Sequence, residues 1–458
     1  MLAVFVLSAC TSAPSSRAPG CDTDAVGDAV KVYRINVPPL ATVGGVTIRG
    51  DGFGSSLAPV PGSSDEVYGL TDRGPNVYLP DGMVVEPIPT FQPAIGKFRL
   101  GDGEATLVRS IPLTDAAGTP CSGRLNSANV GADRSVDLNG TPLAPDPNGY
   151  DPEGLVALAD GTFWISDEYG PFIIHFDASG RQIGRLSPFD GTLPRELAYR
   201  LSNRGMEGLT VTPDGATLVG VMQSALRQPD LGGADPLTIP IVRIVTVDLV
   251  TGGLHEYLYL LDNPATNQTA VSEIATLTRA TFLVDERDGK FPPGAYKKLW
   301  RIDLSGATDV GPGSTVAGAS YDATRGGLLL DGRTLEALLA GQDMGTAAAT
   351  LRAHGITPVA KALGLDVGAL LDALDPAGRL FAHDKLEGVF VDAAVVDAAG
   401  ERIVLSNDSD FGIDVGSTTP PYQLRAKVSP HGGGQDAGEI LVIDTSRLPA
   451  SVRHDLRF

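Results

Sequence analysis

Four glutamates stand at matching places in a recurring pattern: Glu153, Glu207 and Glu387 each precede a glycine, and Glu273 precedes Ile274. Further along each copy a second set of acids recurs as Asp167 and Glu168, Asp285 and Glu286, and Asp408 and Asp410, with Asp72 in a degraded copy. Carboxylates gathered out of water need either raised pKa values or a cation. Calcium suits such a set, because it takes about six to eight hard oxygen ligands. The run Asn407-Asp408-Ser409-Asp410-Phe411-Gly412 also has the dense oxygen spacing of a calcium loop. Bases lie in the same segments: Arg73, Arg204, Arg287 and Lys385. Such groups clamp phosphate or carboxylate oxygens. The acids are therefore expected to hold calcium beside an anion, with Glu153, Glu387, Arg73, Arg287 and Lys385 as the candidate catalytic residues if that anion is a substrate. The alternative is that each acid caps a turn and each base pairs with its neighbour.

The elements that must gather these residues are visible as repeats. One copy begins at Asp151-Pro152-Glu153-Gly154 and continues through Phe163-Trp164-Ile165-Ser166-Asp167-Glu168; others begin at Met206, Ser272 and Leu386, and a degraded copy spans Gly45 to Leu100. Each is a series of short β-branched or alternating runs separated by Asp-Gly-type turns, the mark of antiparallel strands joined by hairpins. Such a unit repeated about five times implies an all-β fold, a β-propeller of five to six blades over residues 30–450. Val30–Asn36 is expected to close the ring as the outer strand of the last blade. In each blade the start of the first strand and the end of the second lie at one end, so the acids should converge on one face. Residues 330–376 carry Leu and Ala at helical spacing and read as a helical insertion between the third and fourth repeats, either a lid, a docking element or a cap on one flank.

Several chemistries are not supported. The chain has no Gly-x-Ser-x-Gly elbow, Walker loop, His-Glu-x-x-His or Gly-x-Gly-x-x-Gly. His175 is expected mid-strand in a structural role, and His383 is the better catalytic outsider. With 55 acidic against 35 basic residues among 458, the net charge of -20 repels phosphate backbones, so nucleic acid is not an expected partner.

Residues 1–22 read as a lipoprotein-type signal and linker. Leu7-Ser8-Ala9-Cys10 resembles a bacterial lipobox, which implies lipidation of Cys10, export and anchoring to the bacterial cell envelope. Membrane contact is expected only through that lipid, on a monomer. Cys21 and Cys121 are the remaining cysteines, and in an exported protein a disulfide between them is expected.

Asp151-Pro152-Glu153-Gly154-Leu155 and Phe163 to Gly170, joined with Glu207-Gly208-Leu209 and Lys385-Leu386-Glu387-Gly388-Val389, resemble the phytase-like family of exported proteins with esterase-like activity. The resemblance covers roughly residues 40–445 outside the insertion. It implies a propeller similar to the alkaline phytases, which have six blades, bind several calcium ions and hydrolyse phosphate monoesters through a metal-activated water. The chain departs from them in lacking an Asp-Asp-Pro-Ala motif. A sixth blade would have to lie in residues 101–150. Two other functions fit the same face: a lactonase-like carboxyl-ester hydrolase and a non-catalytic surface propeller that binds a ligand or partner.

Overall fold

The computed structural model describes residues 29–448 except 132, 398, 399 and 432. Cys10 and Cys21, and with them the lipidation and the disulfide, lie outside the described residues; the Cys121 side chain is buried in the core.

Five four-stranded antiparallel sheets form the blades of a propeller. Blade 1 contains Ser56–Pro59, Glu66–Leu70, Ala94–Gly101 and Glu104–Pro112; blade 2 contains Pro152–Ala157, Phe163–Asp167, Phe172–Phe176 and Gln182–Leu186. Blade 3 is Met206–Val211, Thr217–Met222, Ile241–Asp248 and Leu254–Leu260. Blade 4 is Ala270–Thr276, Thr281–Arg287, Lys297–Asp303 and Ala360–Asp366. Blade 5 takes Leu386–Asp397, Gly400–Asn407 and Glu439–Asp444 from the C-terminal part and Val30–Asn36 from the N-terminal part.

The first strands of the five blades touch one another in a closed ring around the axis. Val30–Asn36 completes blade 5 as its outer strand, as expected. It pairs antiparallel with Glu439–Asp444, and its end also runs parallel to blade 1, Arg34 opposite Glu104. Two otherwise open edges are thereby satisfied. Between the blades, apolar side chains from facing sheets interlock; Ile173, Leu209, Val219, Ile244 and Ile274 share one such cluster. Burying each is worth about 1.5–3 kcal/mol.

The sixth blade implied by the resemblance is not found among the described residues. From 113 to 150 the one named strand is Ser135–Val136, which joins the small sheet of Val84–Val85 and Val77–Tyr78. The rest of that stretch is turns held by Asx hydrogen bonds, such as Asp137 to Asn139 and Thr141.

The insertion sits inside blade 4, between its third and fourth strands, rather than between two repeats. It holds the hairpin strands Ala319–Asp322 and Gly327–Leu330 and the helices Leu335–Leu339 and Met344–Ala353; a further helix, Val367–Leu374, follows the blade's outer strand. Side-chain caps start all three helices: Thr334 accepts from Ala337 N, Asp343 from Thr346 N and Asp366 from Ala369 N. Leu328, Leu335, Leu339 and Leu351 pack on Ile241 and Leu258 of blade 3. The buried Arg243 of blade 3 ties the insertion down, holding Glu256 at 2.6 Å and Glu336 of the first helix. Residues of the insertion do not line the axial cavity.

Candidate active site

One structural detail repeats at the start of four blades. The ladder between first and second strands slips at Pro152/Leu155, Met206/Gly208, Val271/Glu273 and Leu386/Val389. Each slip is a β-bulge, which re-aims one side chain out of the sheet alternation. In blades 2, 3 and 5 the re-aimed residues are Glu153, Glu207 and Glu387, and all three line a cavity on the axis. The glycine that follows is required by close approach. A Cβ at Gly154 would stand 2.5 Å from Leu209 N, and one at Gly208 would stand 2.6 Å from Ile274 N.

Blade 4 departs from this pattern by one residue. Glu273 pairs with Asp285 as Gly208 pairs with Val221, so Ser272 occupies the place of Glu207 and Glu273 the place of a glycine. A slip of one residue exchanges the faces of a strand. Glu273 therefore does not reach the cavity. Its carboxyl crosses the axis beneath it, with Oε2 2.5 Å from Ser56 Oγ of blade 1, while Oε1 accepts from Leu209 N at 2.9 Å and Ile274 N at 3.0 Å. It plugs the channel, and burial pushes its carboxyl well above the usual range.

The same register moves the acids of the second strand. One residue beyond the pairing partner, the five blades place Asp72, Glu168, Gln223, Arg287 and Asp408 in equivalent positions, and all five line the cavity. Arg287 thus stands where Glu168 stands in blade 2. Asp285 is buried away from the cavity near Arg287 and Lys297. Glu286 faces outward, where it accepts from Lys361 at 2.5 Å, from Asp262 N at 3.0 Å and from the Tyr259 hydroxyl. Asp167 is likewise a cap, accepting from Asp151 N at 2.8 Å and Gly170 N at 2.6 Å. Of the ten expected metal ligands, Asp167, Glu273 and Glu286 are set to structural tasks, and Asp285 lies off the cavity with both carboxylate oxygens buried and without a hydrogen-bond partner.

The calcium-loop reading of Asn407–Gly412 also changes. Asp408 and Asp410 line the cavity, but an internal ammonium lies between them: Lys385 Nζ is 2.6 Å from Asp408 and 2.5 Å from Asp410. Lys427 holds the other oxygen of Asp410 at 2.6 Å. The two lysines carry the Asp410 carboxyl far below its usual range despite burial.

All four expected bases line the cavity. Arg287 pairs with Glu387 and with Ser272 Oγ, and Arg73 lies 3.1 Å from Asp151 and 2.6 Å from the Tyr78 hydroxyl. Arg204 has no carboxylate in ion-pair contact among the described residues; burial lowers its pKa, with the Arg287 charge adding to that and Glu168 and Glu207 opposing it.

The remaining acids form the centre of the site. Single carboxylate oxygens of Asp151, Glu153 and Glu168 lie within 4.8 Å of one another. That arrangement could hold a metal ion. Glu168 is pushed up to about 7 by burial and the nearby Asp151 charge, and burial followed by Asp151, Glu207 and Glu387 drives Glu153 well above the usual range. Glu168 Oε1 and Glu207 Oε2 are buried without a hydrogen-bond partner. An all-oxygen donor set with orphaned carboxylate atoms fits a hard dication.

Sequence reasoning missed Asp151, Asn203, Gln223 and Tyr78. Asp151 was within reach, since it opens the Asp-Pro-Glu-Gly motif, and Gln223 follows once the second strands are aligned by pairing rather than by acids. The two histidines settle differently. His175 stacks on Trp164 at 4.1 Å between ring centroids, in the middle of a blade strand. His383 does not line the cavity and lies buried between Asp436 and Glu439.

Residues 49–411 match the family described as phytase-like, esterase-like activity of phytase. The chain belongs to the phytase-like family. A relative in Arthroderma benhamiae, an uncharacterized secreted protein, is 30% identical over 236 residues, which are 40% of this chain and 46% of that protein. The phytase-like chain thus spans about half the length of that curated relative. Among solved structures, virginiamycin B lyase from Staphylococcus aureus is 11% identical with a TM-score of 0.31, covering 90% of this chain and 99% of that one. Hydrazine synthase of Kuenenia stuttgartiensis is also 11% identical with a TM-score of 0.29, covering 81% and 100%. The propeller assignment of the phytase-like protein rests on its own strand pairing.

Proposed function

We propose that this protein is an exported, metal-dependent hydrolase of small anionic esters, phosphate monoesters before carboxyl esters, with calcium as the metal. The observation that carries the reading is one cavity of about 280 Å³ lined by Glu153 and Glu168 of the close carboxylate group together with Arg73, Arg204, Arg287 and Lys385. A dication bound by Asp151, Glu153 and Glu168 supplies a water of lowered pKa and charge for an anionic substrate. The chain's own residues do the rest. Arg204, with no carboxylate in ion-pair contact among the described residues, would meet the anion; Arg287 and Lys385 would supply further positive charge, each paired with its own acids. Arg73 fixes Asp151, and through it one side of the carboxylate group.

Export is supported by the secreted relative, and lipidation at Cys10 remains part of the proposal. No helix among the described residues is long and apolar enough to cross a membrane. The test is turnover of p-nitrophenyl phosphate and p-nitrophenyl butyrate with calcium and with chelator. Calcium-dependent phosphate release, lost in Glu153→Gln, is the expected result. Butyrate turnover instead makes the protein a carboxyl esterase. No turnover of either leaves a ligand-binding propeller.

A further inference from the structure

Arg204 is the base that the anion would meet, yet no carboxylate among the described residues fixes its side chain by an ion pair. Its aim therefore comes from its backbone. Arg204 closes a tight turn in which its N–H donates to Leu201 O at 3.0 Å and Asn203 stands at φ +52°, a left-handed conformation that asparagine tolerates better than most residues. The turn borders two spaces. Asn203 and Arg204 line the axial cavity, while Arg200 and Ser202 line a separate recess of about 180 Å³.

Arg200 grips the turn from that recess. Its side chain is only 3% exposed, and its guanidinium donates to three segments of the chain. Nε donates to Tyr169 O at 2.7 Å, Nη1 to Leu201 O at 3.1 Å, and Nη2 to Asn129 O at 3.0 Å and Asp133 Oδ2 at 3.1 Å. Leu201 O thus accepts from both Arg200 and Arg204 N, so one carbonyl joins the fork to the turn. Arginine presents its donors in a planar fork, whereas lysine has all of its donors on one nitrogen. Arg200 does not line the axial cavity, so it does not touch a substrate there.

Two routes lead from this grip to the site. One passes through Tyr169 to Glu168 and the carboxylate group, but that segment has holds of its own. Glu168 N donates to Asp151 O at 2.9 Å, the Tyr169 hydroxyl to Gly123 O at 3.0 Å and Gly170 N to Asp167 at 2.6 Å. The other route passes through Leu201 to Arg204. There the further backbone bonds are the turn's own and the one from Gln223 N to Gly205 O at 3.0 Å. Loss of the fork therefore loosens the turn before it loosens the carboxylates.

We propose that Arg200 is a positioning residue for the anion site: it locks the Leu201–Arg204 turn from outside the cavity and so sets where the Arg204 guanidinium meets the substrate. The inference rests on the hydrolase reading above and adds to it a residue that does not touch the substrate. A guanidinium held by its turn meets an anion in one geometry, whereas a loosened one must be ordered as the anion binds.

The experiment measures p-nitrophenyl phosphate turnover with calcium, and binding of inorganic phosphate and of calcium by calorimetry. It uses the full chain as wild type, Arg200→Lys, Arg204→Met and the double variant. Lysine keeps the charge opposite Asp133 and removes the fork. The expected result for Arg200→Lys is a rise of about tenfold in KM and in the phosphate Kd, equivalent to about 1.4 kcal/mol, with calcium affinity unchanged and kcat falling less than KM rises. In the Arg204→Met background the same change should add nothing. Unchanged KM and phosphate binding in Arg200→Lys overturn the role, as does a tenfold loss that persists without Arg204. Weaker calcium binding in Arg200→Lys sends the effect through Tyr169 and overturns it too. A wild type that neither binds phosphate nor turns over the ester overturns the hydrolase reading itself, and the positioning role with it. If Arg200→Lys does not fold, Ser202→Gly loosens the turn at an exposed residue outside the cavity, and the same measurements decide by the same criteria.

Discussion

Glu273 offers a test of the axial architecture that does not depend on any ligand. Replacing it with leucine leaves three buried donors without an acceptor: Ser56 Oγ, at 2.5 Å, and the Leu209 and Ile274 amides, at 2.9 and 3.0 Å. At about 1–3 kcal/mol for each unmet group, the loss is about 3–9 kcal/mol. Glutamine should behave differently. Its amide oxygen serves both backbone donors, and its amide N–H can donate to Ser56 Oγ, reversing the bond that Ser56 Oγ donates to Oε2, as a neutral carboxyl would also do. Because burial raises the Glu273 pKa, the folded state favours that neutral form, and Glu273→Gln should cost less than about 1 kcal/mol at neutral pH.

The pH dependence follows in sign. A carboxyl whose folded pKa is raised contributes stability that is complete below its unfolded value near 4.5 and is lost as pH rises toward the folded one. Glu273→Gln lacks that loss, so any deficit it shows against wild type should shrink as pH rises. Urea unfolding followed by circular dichroism, from pH 5 to 9, measures both effects. If glutamine is as damaging as leucine, or its deficit grows with pH, Glu273 is an ionised ligand and the plug reading is wrong.

Two further outcomes are expected. Chelation should lower the melting temperature and added calcium restore it, by about 2.7 to 4.1 kcal/mol when the free ion is 100 to 1,000 times its Kd, and Glu153→Gln should show a smaller response in the same thermal scan. For His383, burial opposes the charge, but hydrogen bonds to Asp436 and Glu439 outweigh it and carry the imidazole up to about 9 from 6.5, so its stabilisation is complete below 6.5 and lost as pH rises through about 9. The shift corresponds to about 3 kcal/mol, and the stability of His383→Gln measured by urea unfolding should be flatter than wild type across that window.

The blades and their closure were legible because hairpin turns and alternating strands repeat in Phe163–Asp167, Thr217–Met222 and Thr281–Arg287, and strand period is a local property. Convergence of the acids followed from antiparallel geometry alone, and it holds for Glu153, Glu168, Glu207 and Glu387. The third repeat misled for a physical reason. Its Asp285-Glu286 resembles Asp167-Glu168 letter for letter, but pairing aligns Glu286 with Asp167 and Arg287 with Glu168. Spacing in sequence does not reveal where a bulge falls, and the bulge decides which neighbour faces the axis. The second lysine on Asp410 was hidden differently. Lys427 stands well beyond the loop in sequence and reaches Asp410 only through the fold. Its partners Asp384 and Asp436 complete a buried charge network that no local motif encodes.

The departure of blade 4 is also what makes the cavity chemically two-sided. Five equal blades would present five equal acids at each level, and such a ring can hold cations but has no place for an anion. Here the inner positions read Ser55, Glu153, Glu207, Ser272 and Glu387 around the axis, and the rim positions read Asp72, Glu168, Gln223, Arg287 and Asp408. The acids without a partner base gather on blades 1 to 3, while Arg287 and Lys385 bring positive charge from blades 4 and 5. Ser272 matters to that division, because its hydroxyl accepts from Arg287 Nε at 2.9 Å where blades 2, 3 and 5 place a carboxylate. A glutamate at that position would pair with Arg287 and tie its charge to a second acid in addition to Glu387. The one-residue slip thus accounts together for the plug across the axis and for an arginine that faces the cavity beside a cluster of carboxylates.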